Sequence, residues 1–112
     1  MRKCKVLING VMAGTLTEVS PKRYTFLYAP LYLTSGNATA ICLQMPLSET
    51  PYESDSLFPF FSNMLPEGMN RAFLSRLYHL SPDDDFGLLL KCAAGDTIGA
   101  ISIKDPEYEA VL

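Results

Sequence analysis

The chain has no tryptophan, one histidine and three cysteines in 112 residues. Each scarcity removes a class of function. His79 has no serine, cysteine or aspartate at a spacing that suggests a nucleophile–base pair, so triad-type hydrolysis finds no support. It reads instead as a solvated or capping residue near a helix end. Cys4, Cys42 and Cys92 are odd in number and form no CxxC, which argues against a disulfide framework and against zinc. Set among apolar neighbours, they read as buried free thiols in a reducing compartment. No run reaches the ~18 apolar residues of a membrane span. The basic start Met1-Arg2-Lys3 is not followed by an apolar stretch long enough for a signal peptide, so the cytoplasm is the expected location. Positive charge is sparse as well. Nine Lys and Arg against twelve Asp and Glu leave a net charge of −3 with no basic stripe, which argues against direct DNA or RNA binding.

What is present is a globular composition, 48% hydrophobic and 19% charged. The length fits one domain over residues 1–112, with an acidic tail frayed from about 105 to 112. "KCKVLINGVMAGTL" places Asn9-Gly10 between two apolar runs, which predicts a hairpin with a type I′ turn. Gly14 marks a bulge or a close contact in the second strand. "RYTFLYA" alternates Tyr24, Phe26 and Tyr28 against Arg23, Thr25 and Leu27 as a third strand. "AICLQM" predicts a fourth, with Ile41, Leu43 and Met45 on one face and Pro46 closing it, followed by a polar connection over 48–56.

Residues 57–80 read as helix in two pieces divided at Pro66, with Met69, Phe73, Leu77 and Leu80 at helical spacing after it. "SPDDDFGLLLKCAA" predicts a further helix with Ser81 as N-cap, Pro82 and the aspartates in its first turn, and Gly95 as its stop. "TIGAISI" predicts a last strand. The expected fold is α/β in the α+β sense: a small, mainly antiparallel sheet of about five strands with two to three helices packed on one face.

Motifs that suggest chemistry do not hold up. Asp85-Phe86-Gly87 spells the magnesium motif of a kinase, but the Gly-rich loop, strand lysine and catalytic-loop residues are absent. Acidic residues near a helix N-terminus explain it better. The run Asp83–Asp85 lacks the alternating ligand spacing of a calcium loop, and "GDTIG" lacks the lysine of a phosphate loop. No enzyme activity, cofactor or metal is expected.

"FPFFSNMLPEGMNRAFL" (58–74) asks for another explanation. Phe58, Phe60, Phe61 and Leu65 cannot face one core together with Met69, Phe73 and Leu77 unless the chain bends, and Pro66-Glu67-Gly68 supplies the bend. Met69, flexible and just after a glycine at a helix start, is the best candidate for exposure and for a binding anchor.

These segments together resemble the N-terminal subdomain of HipA-type toxin kinases. The matching residues are Pro46-Leu47, Pro59-Phe60-Phe61, Asn63, Leu65-Pro66-Glu67-Gly68, and Gly95-Asp96 with Gly99-Ala100, supported by Gly14-Thr15-Leu16 and "YTFLYAPLYL". The resemblance runs from about residue 3 to 104. In longer members the subdomain leads into a serine/threonine kinase with ATP and magnesium sites. A stand-alone copy is similar to the HipS family, the small component of HipB–HipS–HipT systems. The resemblance then implies an antitoxin that binds and inhibits a separate HipT-type serine/threonine kinase, whose target in such systems is tryptophanyl-tRNA synthetase. It also implies, as the alternative, a non-inhibitory scaffold that stabilises the kinase or bridges it to a HipB-like DNA-binding protein in a ternary complex. The docking tip it implies is Leu65, Glu67, Gly68, Met69 and Asn70. In related stand-alone proteins an aromatic residue, often Trp, can follow the Leu-Pro-Glu-Gly; here Met69 stands there.

Overall fold

The first two strands, β1 (Arg2–Ile8) and β2 (Val11–Ser20), form a hairpin because Asn9 and Gly10 accept left-handed backbone, with φ of 51° and 81°. Those angles match the right-handed twist of the flanking strands, as a type I′ turn requires. In this computed structural model, residues 2–65, 67–92, 97–98 and 101–104 are described. β3 (Arg23–Tyr28) pairs with β2, and its alternation is as expected: Tyr24, Phe26 and Tyr28 are buried, and Leu27 is exposed.

Between β1 and β2 the register slips. Val6 opposes Gly14 and Leu7 opposes Met12, so Ala13 is the extra residue of a bulge. Gly14 beside it has no room for a side chain. A Cβ there would lie 2.6 Å from the Leu27 carbonyl oxygen and 2.7 Å from the Phe26 ring. The two readings of Gly14, bulge and close approach, therefore hold together.

The expected strand over 40–45 does not form. Ile41 and Met45 are 6% and 4% exposed, but Leu43 between them is 95% exposed, so the three do not share a face. Tyrosine hydroxyls from the preceding elements take up the backbone instead. Tyr28 Oη accepts from the Ile41 N–H at 3.1 Å and donates to the Met45 carbonyl. Tyr32, on the one-turn helix α1 (Pro30–Leu33), accepts from the Thr39 N–H and donates to its carbonyl, both at 2.8 Å. Burial accordingly pushes the Tyr28 hydroxyl above the ordinary tyrosine value. The strand that pairs with β3 is β4 (Tyr52–Ser54), inside the segment expected to be a polar connection.

The chain end differs too. "TIGAISI" holds two short antiparallel strands, β5 (Thr97–Ile98) and β6 (Ile101–Lys104), with Ile98 opposite Ile101. The described sheet thus has six strands, not about five, in the order β4-β3-β2-β1-β6-β5, and every pairing is antiparallel. The described helices number four, not two to three, because α1 and α2 (Pro59–Ser62) are single turns beside the longer α3 (Gly68–Leu77) and α4 (Asp85–Cys92). The class is α+β as expected. Cys4, Val6, Leu16, Phe26 and Tyr28 of the sheet share a core with Phe61 of α2, Leu65 after it, and Phe86, Leu88 and Leu89 of α4. The expectations for Pro66, for the Gly95 stop, for the turn at Gly99-Ala100 and for the tail at 105–112 lie outside the described residues.

α4 starts later than expected, and Ser81 is not its cap. The Ser81 hydroxyl instead accepts from the Asp83 N–H, in the turn before the helix. The cap is Asp84, whose carboxylate accepts from the Gly87 N–H at 3.1 Å while its carbonyl takes the Leu88 N–H. The same carboxylate receives a forked pair from Arg2 at 2.7 and 3.0 Å, and Arg2 also donates to Glu18 across the β1–β2 pair at 2.8 Å. One guanidinium so ties two strands to the start of a helix.

The Arg2 hydrogen bonds hold the Asp84 carboxyl below the ordinary aspartate value, against a smaller opposing effect of burial. A folded-state value below the unfolded one adds stability above the carboxylate range, and that stability is lost as pH falls through it. Asp84→Asn keeps a capping oxygen but removes the charge. It is expected to cost about 1 kcal/mol at neutral pH, discounted for partial exposure. Urea unfolding as a function of pH checks this: the gap between variant and wild type should begin to narrow as pH falls through the ordinary aspartate value and close only below the lowered value of the folded wild-type carboxyl.

Candidate functional site: a helix with its apolar side outward

α3 begins where Glu67 is extended (φ −127°, ψ 161°) and Gly68 takes a left-handed φ of 59°, a region that favours glycine. The Glu67 carbonyl accepts from the Arg71 N–H. The helix ends at Tyr78 in a Schellman arrangement: the Leu80 N–H reaches the Ser75 carbonyl at 2.8 Å and the His79 N–H reaches that of Arg76 at 3.2 Å. His79 supplies the left-handed residue, with φ of 57°, and is exposed. It has the capping role that its position suggested.

Of the five residues of the implied tip, four are exposed and one is buried. Glu67, Gly68, Met69 and Asn70 are exposed, and Met69 is 90% exposed. Leu65 is 9% exposed and belongs to the core.

Further along α3 the apolar stripe faces away from the core. Phe73 is 64% exposed and Leu77 is 55% exposed, while the buried residue of the helix is Ser75, whose hydroxyl donates to the Arg71 carbonyl at 2.7 Å. α3 is joined to α4 through polar groups: Arg71 donates to the Pro82 carbonyl at 2.6 Å and pairs with Asp85. Asp85, the acid of the kinase-like tripeptide, is the first residue of α4 and an ion-pair partner, and Phe86 after it is fully buried. Its contribution therefore includes a tie to α3 as well as the helix-dipole effect expected of it. The sequence signal for Phe73 and Leu77 was their helical period; nothing local distinguished an outward stripe from an inward one.

A half-open apolar cleft of about 420 Å³ lies elsewhere, between the 42–45 loop and α2, lined by Cys42, Met45, Tyr52, Phe58, Phe60 and Asn63. Among the described residues no helix is long and apolar enough to cross a membrane.

A six-stranded antiparallel sheet, helices sharing one core with it and a helix with apolar residues outward define a small α+β domain. The chain belongs to the HipA N-terminal domain family, whose model matches residues 4–104. It is 29% identical over 105 residues to a Haemophilus influenzae protein carrying the name "Uncharacterized protein", a match spanning 94% of this chain and 93% of that one. It is 26% identical over 111 residues to "Putative kinase Y4mE" of Sinorhizobium fredii, a match spanning 99% of this chain and 26% of that protein. The chain therefore spans nearly all of the first relative and about a quarter of the second.

Proposed function

We propose that this chain binds a HipT-type serine/threonine kinase in trans and inhibits it, as the antitoxin of a toxin–antitoxin system. One observation carries the reading: the same domain accounts for nearly the whole of one relative and for about a quarter of a kinase-named relative. A domain that packs on its kinase within one chain can make that contact between chains when the two are separate. The exposed Met69 and the residues around it supply the surface for it. An interface of standard size, roughly 1,600 Å² in total, would hold the pair tightly given a few buried anchors.

The test is titration of the purified chain into a phosphorylation assay of the HipT-type kinase from the same genome. Kinase activity should fall to a floor at a fixed stoichiometry. Met69→Ala should weaken binding by about 1–3 kcal/mol, measured by calorimetry, with little change in its own unfolding midpoint. Tight binding with undiminished kinase activity would favour a scaffold that links the kinase to a HipB-like DNA-binding protein.

A further inference from the structure

α3 is built inside out. Ser75 is buried with its hydroxyl bonded back to the Arg71 carbonyl of the same helix, and Arg71 reaches Pro82 and Asp85, while Met69, Ala72, Phe73, Arg76 and Leu77 form the exposed side. Their spacing is i, i+3, i+4, i+7 and i+8, by which an amphipathic helix lays one side into a groove. A helix serving only its own fold would turn that side inward, and a contiguous apolar patch left outside marks a contact surface.

The charges narrow the occupant. Arg2, Arg23 and Arg71 each pair with a carboxylate, whereas Arg76 makes no ion pair among the described residues. α3 itself carries two arginines and no acid, although the whole chain has a net charge of −3. A second copy docked helix to helix would bring Arg76 no carboxylate from within α3, the acid nearest the helix in sequence being Glu67 just before it.

Resting on the kinase-binding reading above, we infer that the whole outer side of α3, and not the tip alone, is the docking element. It seats Met69, Phe73 and Leu77 in an apolar groove of the kinase, with a carboxylate on the groove wall opposite Arg76. Arg76 sets the register of the helix along the groove, and the three apolar side chains supply the affinity.

The experiment measures binding of Phe73→Ala, Leu77→Ala and Arg76→Glu to the HipT-type kinase of the same genome, at low and high salt. Leu31→Ala serves as control, since Leu31 on α1 is 86% exposed. Phe73→Ala and Leu77→Ala should each weaken binding about 10-fold or more. Arg76→Glu should slow association and reverse its salt dependence, and Leu31→Ala should bind like wild type. All four positions are exposed, so the free variants should unfold at the wild-type midpoint, and Arg76→Glu keeps the test open should either truncation fail to fold. If the α3 variants bind like wild type while Met69→Ala does not, the contact is the tip alone and the inference is overturned with the kinase reading intact. If wild type itself does not bind the kinase, the kinase reading fails. Sedimentation of the free chain as a dimer that Phe73→Ala converts to monomer would assign the face to a second copy and overturn the inference.

Discussion

Truncating Phe61 to alanine is expected to destabilise the domain by about 3–5 kcal/mol. Its ring is fully buried and sits at the junction of the helices and the sheet. It lies 6.0 Å from the ring of Phe26 on β3, 6.4 Å from Phe58 and 5.3 Å from Phe60, centroid to centroid. Alanine would remove the transfer free energy of the ring, leave a cavity and end three aromatic contacts together. α2 is a single turn, too short to hold itself by its own hydrogen bonds, so packing through Phe61 is what fixes it. A domain of this size has about 5–15 kcal/mol in total, so the loss is a large fraction of it. Urea unfolding of the purified variant measures it. Met69→Ala is the counterpart, because a side chain 90% exposed contributes little to the free fold. If Met69→Ala destabilises the domain as much as Phe61→Ala does, Met69 is core and the outward reading of α3 fails.

Gly14→Ala should cost about 2–3 kcal/mol, although it adds one methyl group. The added carbon would sit 2.6 Å from a backbone oxygen of β3, which cannot swing aside as a side chain can. Phe26 blocks the other escape, since its ring is fully buried, in edge contact with Tyr28 at 4.9 Å and with Phe61 beyond. β2 would have to move away from β3, and the bulge at Ala13, which places two successive residues inward, would be the first part of the ladder disturbed. The shift in the urea midpoint reports the cost. A variant as stable as wild type would mean that β2 and β3 are not packed as described.

Short-range chemistry was legible in the residues. Asn9-Gly10 announced its turn, the tyrosines of β3 announced their face, and 57–80 does hold two helices, the second opening at Gly68 in the left-handed region. The failures all depend on distant partners. The apolar residues of 40–45 have the composition of a strand, but the hydroxyls of Tyr28 and Tyr32 claim their backbone, and no window around residue 42 contains that information. β4 is three residues with a glutamate at its centre, and only the free edge of β3 makes it a strand. Ser81 looks as good a cap as Asp84 until Arg2 arrives from the far end of the chain. Of the candidate site, exposure at Met69 could be read from the glycine before it, whereas Leu65 next to the bend was core and Phe73 and Leu77 were not. Helical period reveals that a stripe exists; which molecule covers it is a property of the assembled surface.

The order of strands also has a consequence for synthesis. β1 lies inside the sheet, flanked by β2 and by β6, and Val6 pairs with Ile103. On a ribosome the three-strand meander over residues 2–28 can form as soon as it emerges, since its contacts are close in sequence. β1 then carries an unsatisfied row of N–H and C=O groups beside the growing core until residues 101–104 follow. Until β6 emerges the nascent chain is a sheet with an open edge at its middle, able to pair with another nascent copy, and β6 closes that edge.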